Sequence, residues 1–289
     1  MQREITGIIC AMITPHSEDG SLDEDGLNSL IDYLIESGVN AIFPTGSAGE
    51  GPMLSREEKE EVISSVIDAV NGRIPVTPGI ACTTTAETIE LGRACDDMGA
   101  DALVLVTPWY YRLDDQSILE HFRSVCEGTD SRMIAYRIPQ CAVNDISHEL
   151  LGELTDLENL YAVKDSSGDV VWLSQAILRY GDRLNFYAGA DRMILPSLAA
   201  GTAGHVSGSS NCFPEEVVAV YRSFMSGDIE AARAAQQDLL DKVTLFPPGR
   251  ENSAIREILR VKGIETGEPL RPMGRLDEAE VKAIRDRLG

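Results

Sequence analysis

The sequence predicts an α/β fold, a closed (β/α)8 TIM barrel with additional C-terminal helices. Short apolar, β-branched runs alternate with longer stretches of helical periodicity, and eight such runs precede residue 226. The runs are also apolar almost without interruption, as in Ala102-Leu103-Val104-Leu105-Val106. Strands separated by crossover helices must be parallel, and parallel strands covered on both faces carry no polar alternation. Eight such units in 289 residues match the usual length of the barrel. An open doubly wound sheet is the competing arrangement, weakened because no G-x-G-x-x-G follows the first strand.

The strand candidates are 7–14, 41–45, 76–80, 102–107, 133–138, 160–165, 185–190 and 202–207. Between them, Leu27, Leu30, Ile31 and Leu34 form one helical stripe, and Val62, Ile63, Val66, Ile67 and Val70 form another. Ser55-Arg56-Glu57-Glu58 and Thr84-Thr85-Ala86-Glu87 read as capping boxes opening the second and third helices. Beyond about residue 226 the strands stop, and helical patterns cover 229–244, 253–263 and 277–288. The expected organisation is a catalytic barrel over 1–225 and a helical extension over 226–289.

Hydrophobic residues make up 43% and charged residues 25%, an ordinary globular composition. The charge is less ordinary. Acidic residues number 47 and basic residues 25, and the formal net charge of −22 opposes any non-specific grip on nucleic acid or anionic lipid. Only five of the basic residues are lysines (Lys59, Lys164, Lys242, Lys262, Lys282), against twenty arginines. Such a surface suits solubility in concentrated salt, so a halophilic cytoplasm is expected. The six cysteines are scattered without a C-x-x-C pair and read as buried small hydrophobes or free thiols. No charged-then-apolar leader opens the chain, and no apolar run approaches the ~20 residues of a membrane span. The expected location is cytoplasmic.

In a closed parallel barrel, chemistry gathers at the C-terminal strand ends. Lys164 sits there, in Tyr161-Ala162-Val163-Lys164-Asp165, whereas the other four lysines stand in polar, helix-like surroundings. Desolvation lowers a lysine's pKa toward the neutral amine that attacks carbonyls. Lys164 is then either paired with a carboxylate such as Asp165 or a Schiff-base nucleophile. Tyr136 ends the preceding strand, and its phenol either packs with a satisfied hydroxyl or moves protons to and from a carbinolamine. Arg137 alternates with Tyr136 and is expected to point outward. The turn Gly46-Ser47-Ala48-Gly49-Glu50-Gly51 offers a hydroxyl and backbone N–H groups suited to a carboxylate. The four histidines (His16, His121, His148, His205) form no H-x-H or H-E-x-x-H spacing, so no metal site is expected.

Five motifs stand in the order and spacing of the dihydrodipicolinate synthase/N-acetylneuraminate lyase family. They are Gly46-Ser47-Ala48-Gly49-Glu50, Thr107-Pro108-Trp109-Tyr110, Tyr136-x-x-Pro139, Val163-Lys164-Asp165-Ser166-Ser167-Gly168 and Gly204-His205-Val206-Ser207-Gly208. The chain resembles that family from Gly7 and the Thr14-Pro15 turn to Arg271-Pro272. The resemblance implies a class I, metal-independent aldolase or lyase without a cofactor, in which pyruvate, or the pyruvate half of a 2-keto acid, forms an imine with the lysine. By matched position, Lys164 is the Schiff-base residue and Tyr136 the proton-transfer phenol. Ser47 and Tyr110 complete the hydroxyl relay, with Tyr110 reaching in from a neighbouring subunit of a homodimer or homotetramer. The backbone around Ser47 and Ala48 would hold the pyruvate carboxylate, and Gly189 and Val206 would line the pocket. A protonated imine is an electron sink, so the carbanion of C–C cleavage is stabilised without a metal.

Two departures refine this implication. Ala48 stands where the family commonly has a second hydroxyl residue, so that hydrogen bond to the carboxylate falls to the backbone. Cys141 stands where the dihydrodipicolinate synthase branch carries an arginine two residues after the proline, which disfavours aspartate semialdehyde as acceptor. The string Glu50-Gly51-Pro52-Met53-Leu54-Ser55 is similar to the archaeal gluconate aldolases of the family. The implied substrate is 2-keto-3-deoxygluconate or its 6-phosphate, cleaved to pyruvate and glyceraldehyde or its phosphate. Arg112 either forks onto a substrate phosphate or makes an interface salt bridge. Alternatives are a dihydrodipicolinate synthase-like condensing enzyme, a keto-acid dehydratase using the same imine, and a pyruvate-sensing or scaffolding relative without activity.

The acidic, lysine-poor composition predicts a higher thermal unfolding midpoint in molar potassium chloride than in dilute buffer. Circular dichroism melts that coincide in the two solvents would remove the halophilic expectation.

Overall fold

The computed structural model describes residues 3–289. Seven parallel strands, β1 (Gly7–Ala11), β2 (Ala41–Phe43), β3 (Leu103–Val106), β4 (Met133–Arg137), β5 (Leu160–Asp165), β6 (Asn185–Ala188) and β7 (Gly204–Ser207), pair in the order β2-β1-β7-β6-β5-β4-β3. The two ends of this curled sheet are joined by the segment 75–80. Ile42 N–H donates to Pro75 O at 3.0 Å and Thr77 N–H to Ile42 O at 2.8 Å on one side. On the other, Val104 N–H donates to Pro78 O at 2.8 Å and Ile80 N–H to Val104 O at 3.0 Å. The expected third strand is therefore present as two isolated bridges, Ile42 with Val76 and Gly79 with Val104. Pro75 and Pro78 have no N–H to give, so a continuous ladder cannot form there. The result is a TIM-barrel-like fold with C-terminal helices.

Around it run α1 (Glu24–Glu36), α2 (Arg56–Val70), α3 (Thr85–Met98), α4 (Asp115–Gly128), α5 (His148–Leu154), α6 (Val170–Tyr180), α7 (Ile194–Ala200) and α8 (Pro214–Met225). The chain continues into α9 (Ile229–Lys242), α10 (Glu251–Val261) and α11 (Glu278–Leu288). Ser55 opens α2 with the full capping box: its hydroxyl accepts Glu58 N–H at 3.2 Å, and the Glu58 carboxylate accepts Ser55 N–H at 2.7 Å. At α3 only half of the expected box forms. Thr84 accepts Glu87 N–H at 3.2 Å, but the Glu87 carboxylate takes the Thr83 and Thr84 hydroxyls instead of the capping N–H.

Strand alternation sorts the core into an interior and an outer layer. Ile9, Phe43, Val104, Ile134, Tyr136, Ala162, Tyr187 and Val206 fill the interior. Met133, Ala135, Val163 and Phe186 face outward against Leu91, Phe122 and Leu150 of the helices. On the opposite side, Leu27, Leu30, Ile31 and Leu34 of α1 share an outer cluster with Val62 and Val66 of α2 and with Ile255, Ile258 and Leu259 of α10. α10 is thus packed into the same outer layer as α1 and α2, beside the ends of β1 and β2.

One detail departs from expectation. Lys59 is not in polar surroundings: it is buried on α2 and its amine donates to Ala81 O at 2.7 Å, tying down the end of the irregular segment. Burial holds that amine below the usual lysine range. All six cysteines are unpaired, with Cys10, Cys95, Cys126 and Cys212 buried, Cys82 half-buried and Cys141 exposed. Among the described residues, no helix is long and apolar enough to cross a membrane.

Candidate active site

β4 and β5 run in register, with Tyr136 opposite Lys164 and Arg137 opposite Asp165. The alternation sends the first pair inward and the second outward. Arg137 grips Asp145 at 2.6 and 2.8 Å and Asp165 at 3.0 Å, and lies over the Trp172 ring at 4.1 Å. Ser167 adds its hydroxyl and N–H to Asp165 at 3.0 and 3.2 Å. Burial pushes the Asp165 carboxyl up, against the pull of Ser167 and Arg137. The carboxylate next to Lys164 in sequence is therefore Arg137's partner.

Lys164 faces the other way. Only 4% exposed, its amine lies 3.7 Å from the Tyr136 ring centre and 4.6 Å from that of Phe43. No carboxylate of the described residues comes within ion-pair distance of it. An amine faced by aromatic rings and free of a carboxylate can add to a carbonyl carbon. Gly189, just past β6, makes room for it: a Cβ there would stand 3.0 Å from Lys164 Cε and 2.0 Å from Ser166 Oγ. Ser166 donates a long hydrogen bond, 3.4 Å, to the Tyr136 hydroxyl. Sequence reasoning did not assign Ser166, although its position two residues after Lys164 on an extended chain puts both on one face.

The loop after β2 is held by its carbonyls. Gly51 N–H donates to Gly46 O at 3.0 Å, Glu50 N–H to Ser47 O at 3.3 Å, Asn252 Nδ2 to Ala48 O at 2.9 Å, and Thr14 Oγ1 to Gly49 O at 2.7 Å. Thr45 and Glu50 take left-handed backbone angles, φ 55° and 59°, and at Gly51 a Cβ would meet Thr45 O at 1.9 Å. Among the described residues the N–H groups of Ser47 and Ala48 have no protein acceptor. Consecutive free N–H groups in such a turn make an anion-binding concavity. Ser47, Phe43, Trp109 and Tyr136 border a cavity of about 40 Å³, enough for a few waters. Glu50 beneath the loop is fully buried. Burial pushes its carboxyl up, but His16, Arg256 and the Leu270 N–H outweigh this and hold it below the usual range.

The structure brings together Lys164, Tyr136, Gly189 and Ser166 at the C-terminal mouth, with Ser47 beside Tyr136 and Val206 in the barrel interior. It does not bring Tyr110 among them within one chain. Tyr110 is 81% exposed, edge-on to Tyr111 at 5.0 Å, and Arg112 beside it is exposed with no ion pair among the described residues. His205, the one histidine near a strand end, is fully buried and contacts Asp191 at 3.3 Å.

The dihydrodipicolinate synthetase family matches residues 4–288. The chain belongs to that family. It is 34% identical over 278 residues to an uncharacterised DapA-like lyase of Halobacterium salinarum, covering 96% of this chain and 91% of that protein. It is 33% identical over 283 residues to the 4-hydroxy-tetrahydrodipicolinate synthase of Methanothrix thermoacetophila, covering 96% and 95%. The structure of YagE, a prophage protein of the dihydrodipicolinic acid synthase family from E. coli K12 in complex with pyruvate, matches with a TM-score of 0.93 at 28% identity, covering 98% and 97%. As a dihydrodipicolinate synthetase family member the chain is an enzyme, a Schiff-base-forming carbon–carbon lyase.

In this family member, Lys164→Met should change unfolding free energy by less than about 1 kcal/mol, since it strands no buried partner. Arg137→Met leaves the Asp165 carboxylate, 2% exposed, without its cation and should cost about 3–5 kcal/mol. Urea unfolding of the two variants measures the contrast. A loss at Lys164→Met as large as at Arg137→Met would make that lysine structural.

Proposed function

We propose that the protein is a pyruvate-dependent class I aldolase cleaving a 2-keto-3-deoxy sugar acid, 2-keto-3-deoxygluconate or its 6-phosphate. The observation that carries this reading is the carboxylate-free amine of Lys164, in register with the Tyr136 phenol at the barrel mouth. The Lys164 amine adds to the C2 keto carbon, and the carbinolamine loses water to leave a protonated imine. Tyr136 delivers the proton to the departing hydroxyl and then takes the proton of the C4 hydroxyl. The C3–C4 bond breaks, its electron pair flows into the imine, and the aldehyde leaves. Protonation of the enamine at C3 and hydrolysis of the imine release pyruvate and restore the amine. Acid–base work of this kind contributes about 10²–10⁴-fold, and the imine supplies the electron sink, so the scheme calls for no metal or cofactor.

The free N–H groups of Ser47 and Ala48 take the keto acid's carboxylate, with the Ser47 hydroxyl as a further donor. Gly189 and Val206 shape the pocket around the imine. Ser166, bonded to Tyr136, joins Ser47 in the proton relay. Tyr110 serves the site of a neighbouring subunit in a homodimer or homotetramer, a reading supported by the exposure of Tyr110 and Tyr111, 81% and 74%. The exposed Arg112 guanidinium meets the substrate's terminal phosphate. The acidic surface, read as salt adaptation, is supported by a relative from Halobacterium salinarum.

Condensation of pyruvate with aspartate semialdehyde is the second reading, favoured by the relative named 4-hydroxy-tetrahydrodipicolinate synthase. Cys141, exposed on the loop after β4, gives an acceptor carboxylate no cation there.

Pyruvate with borohydride should add the mass of a reduced imine at Lys164, and Lys164→Ala should abolish both labelling and turnover; an unlabelled lysine would sink the proposal. In a cleavage screen over 2-keto-3-deoxy acids, run beside the condensation assay, Arg112→Ala should raise KM about 10–100-fold for phosphorylated substrates only. An equal effect on unphosphorylated ones would take the phosphate role from Arg112.

A further inference from the structure

We propose that Asn144 is a positioning residue: from the loop after β4 it shapes the arm 108–113 and so presents Tyr110 to the pocket of a neighbouring subunit. The inference rests on the reading that Tyr110 serves that pocket. Asn144 is only 4% exposed, and both protons of its amide are used on the arm. Nδ2 donates to Pro108 O at 2.6 Å and to Tyr111 O at 2.8 Å. Oδ1 accepts Leu113 N–H at 2.9 Å, and the Asn144 backbone carbonyl accepts the Thr107 hydroxyl at 2.9 Å. One side chain thus holds the arm on both sides of Tyr110. Carbonyls three residues apart stand about 10 Å from one another in an extended chain, so bringing Pro108 O and Tyr111 O onto one nitrogen folds the arm back on itself. The bend falls at Tyr110 and Tyr111, whose side chains are turned out, 81% and 74% exposed.

The arm has little else to hold it. Among the described residues its only backbone–backbone bond to another segment is Val143 N–H to Trp109 O, long at 3.4 Å. Asn144 is by contrast held from behind, because the carboxylate of the next residue, Asp145, takes Arg137 at 2.6 and 2.8 Å. Arg137 is the outward neighbour of Tyr136 on β4. The arm is thus tied, through Asn144 and Asp145, to the strand end that carries the phenol of the chain's own site. An amide is the group this place requires: a carboxylate would set lone pairs against two carbonyls, and an apolar side chain would leave two carbonyls and an N–H unclaimed. The arm is exposed, so water takes up those groups when Asn144 is lost, and the arm loosens while the barrel stays folded. Tyr110 acts in the proton relay, and a misplacement of about 1 Å costs about a hundredfold in rate. Asn144 itself touches no reacting atom in the scheme.

The test is subunit complementation on the full chain, read as deuterium exchange into the methyl group of pyruvate, which needs the imine and a proton relay but no aldehyde partner. Asn144→Leu and Tyr110→Phe should each slow exchange about 10–100-fold and leave borohydride labelling of Lys164 at saturating pyruvate at the wild-type level. Lys164→Ala has a dead pocket but an intact arm. Co-expressed one to one with Asn144→Leu, it should restore exchange to about a quarter of the wild-type rate, because half of the dimers are hybrids and each hybrid has one complete pocket. Asn144→Asp keeps the acceptor for Leu113 N–H, lacks both donors and should behave alike, so a leucine variant that does not fold leaves the test standing. A folded variant exchanging at the wild-type rate would overturn the proposal. So would a slow variant that gains nothing from Lys164→Ala while Tyr110→Phe does gain, since its defect then lies in its own pocket; and if neither variant folds, Asn144 belongs to the barrel and the proposal fails. A Tyr110→Phe pair that gains nothing is a different failure: it takes Tyr110 out of the neighbour's pocket and removes the reading beneath this inference. Absence of exchange in the wild type would sink the imine chemistry itself.

Discussion

The site depends on a separation of charges by strand alternation. At the ends of β4 and β5 four ionisable or polar groups stand side by side, and the two-residue period sends Arg137 and Asp165 to one face and Tyr136 and Lys164 to the other. The outward pair neutralises itself, braced by Asp145, Ser167 and Trp172. The inward amine is left with aromatic rings and no carboxylate. A one-residue slip of β5 would turn Lys164 to the outer face beside Arg137 and put Asp165 inside, so the ladder register decides which of the two faces the barrel mouth.

Around that amine the protein works largely through absent side chains and through backbone. Gly189 clears the volume that Lys164 and Ser166 occupy, and Gly51 lets the β2 loop fold back onto Thr45. On the proposed reading the keto acid's carboxylate meets the Ser47 and Ala48 N–H groups, whose peptide planes are tied down through the carbonyls of Gly46 and Ser47. Such donors are preorganised and need little rearrangement when an anion arrives, which is how a site gains affinity without long, flexible cations. It also suits the proposed acidic substrate, which the chain's net charge of −22 would otherwise repel.

Much of this was legible in the residues. Apolar runs and helical stripes marked the βα units, and Lys164 and Tyr136 stood out because polar groups at strand ends are conspicuous in apolar runs. Other features were legible but unread: Pro75 and Pro78 forecast a broken ladder in the third strand, and the i, i+2 spacing placed Ser166 beside Lys164. The burial of Lys59 was less accessible, because its neighbours in sequence are charged and only the carbonyl of Ala81 gives its amine a partner. Likewise, the Thr84 cap went half-formed because Glu87 found two hydroxyls closer to hand than the N–H.

The sequence by itself determined which segments alternate, which residues face inward and where a reactive amine could sit, because these follow from local periodicity and solvation. Tertiary structure alone decided what stands behind the loop after β2. Asn252 meets Ala48 across 204 residues and Arg256 meets Glu50 across 206. Contacts of that span leave no local pattern; they exist only because α10 packs into the same layer as α1 and α2 and brings its polar side chains to the mouth of the barrel.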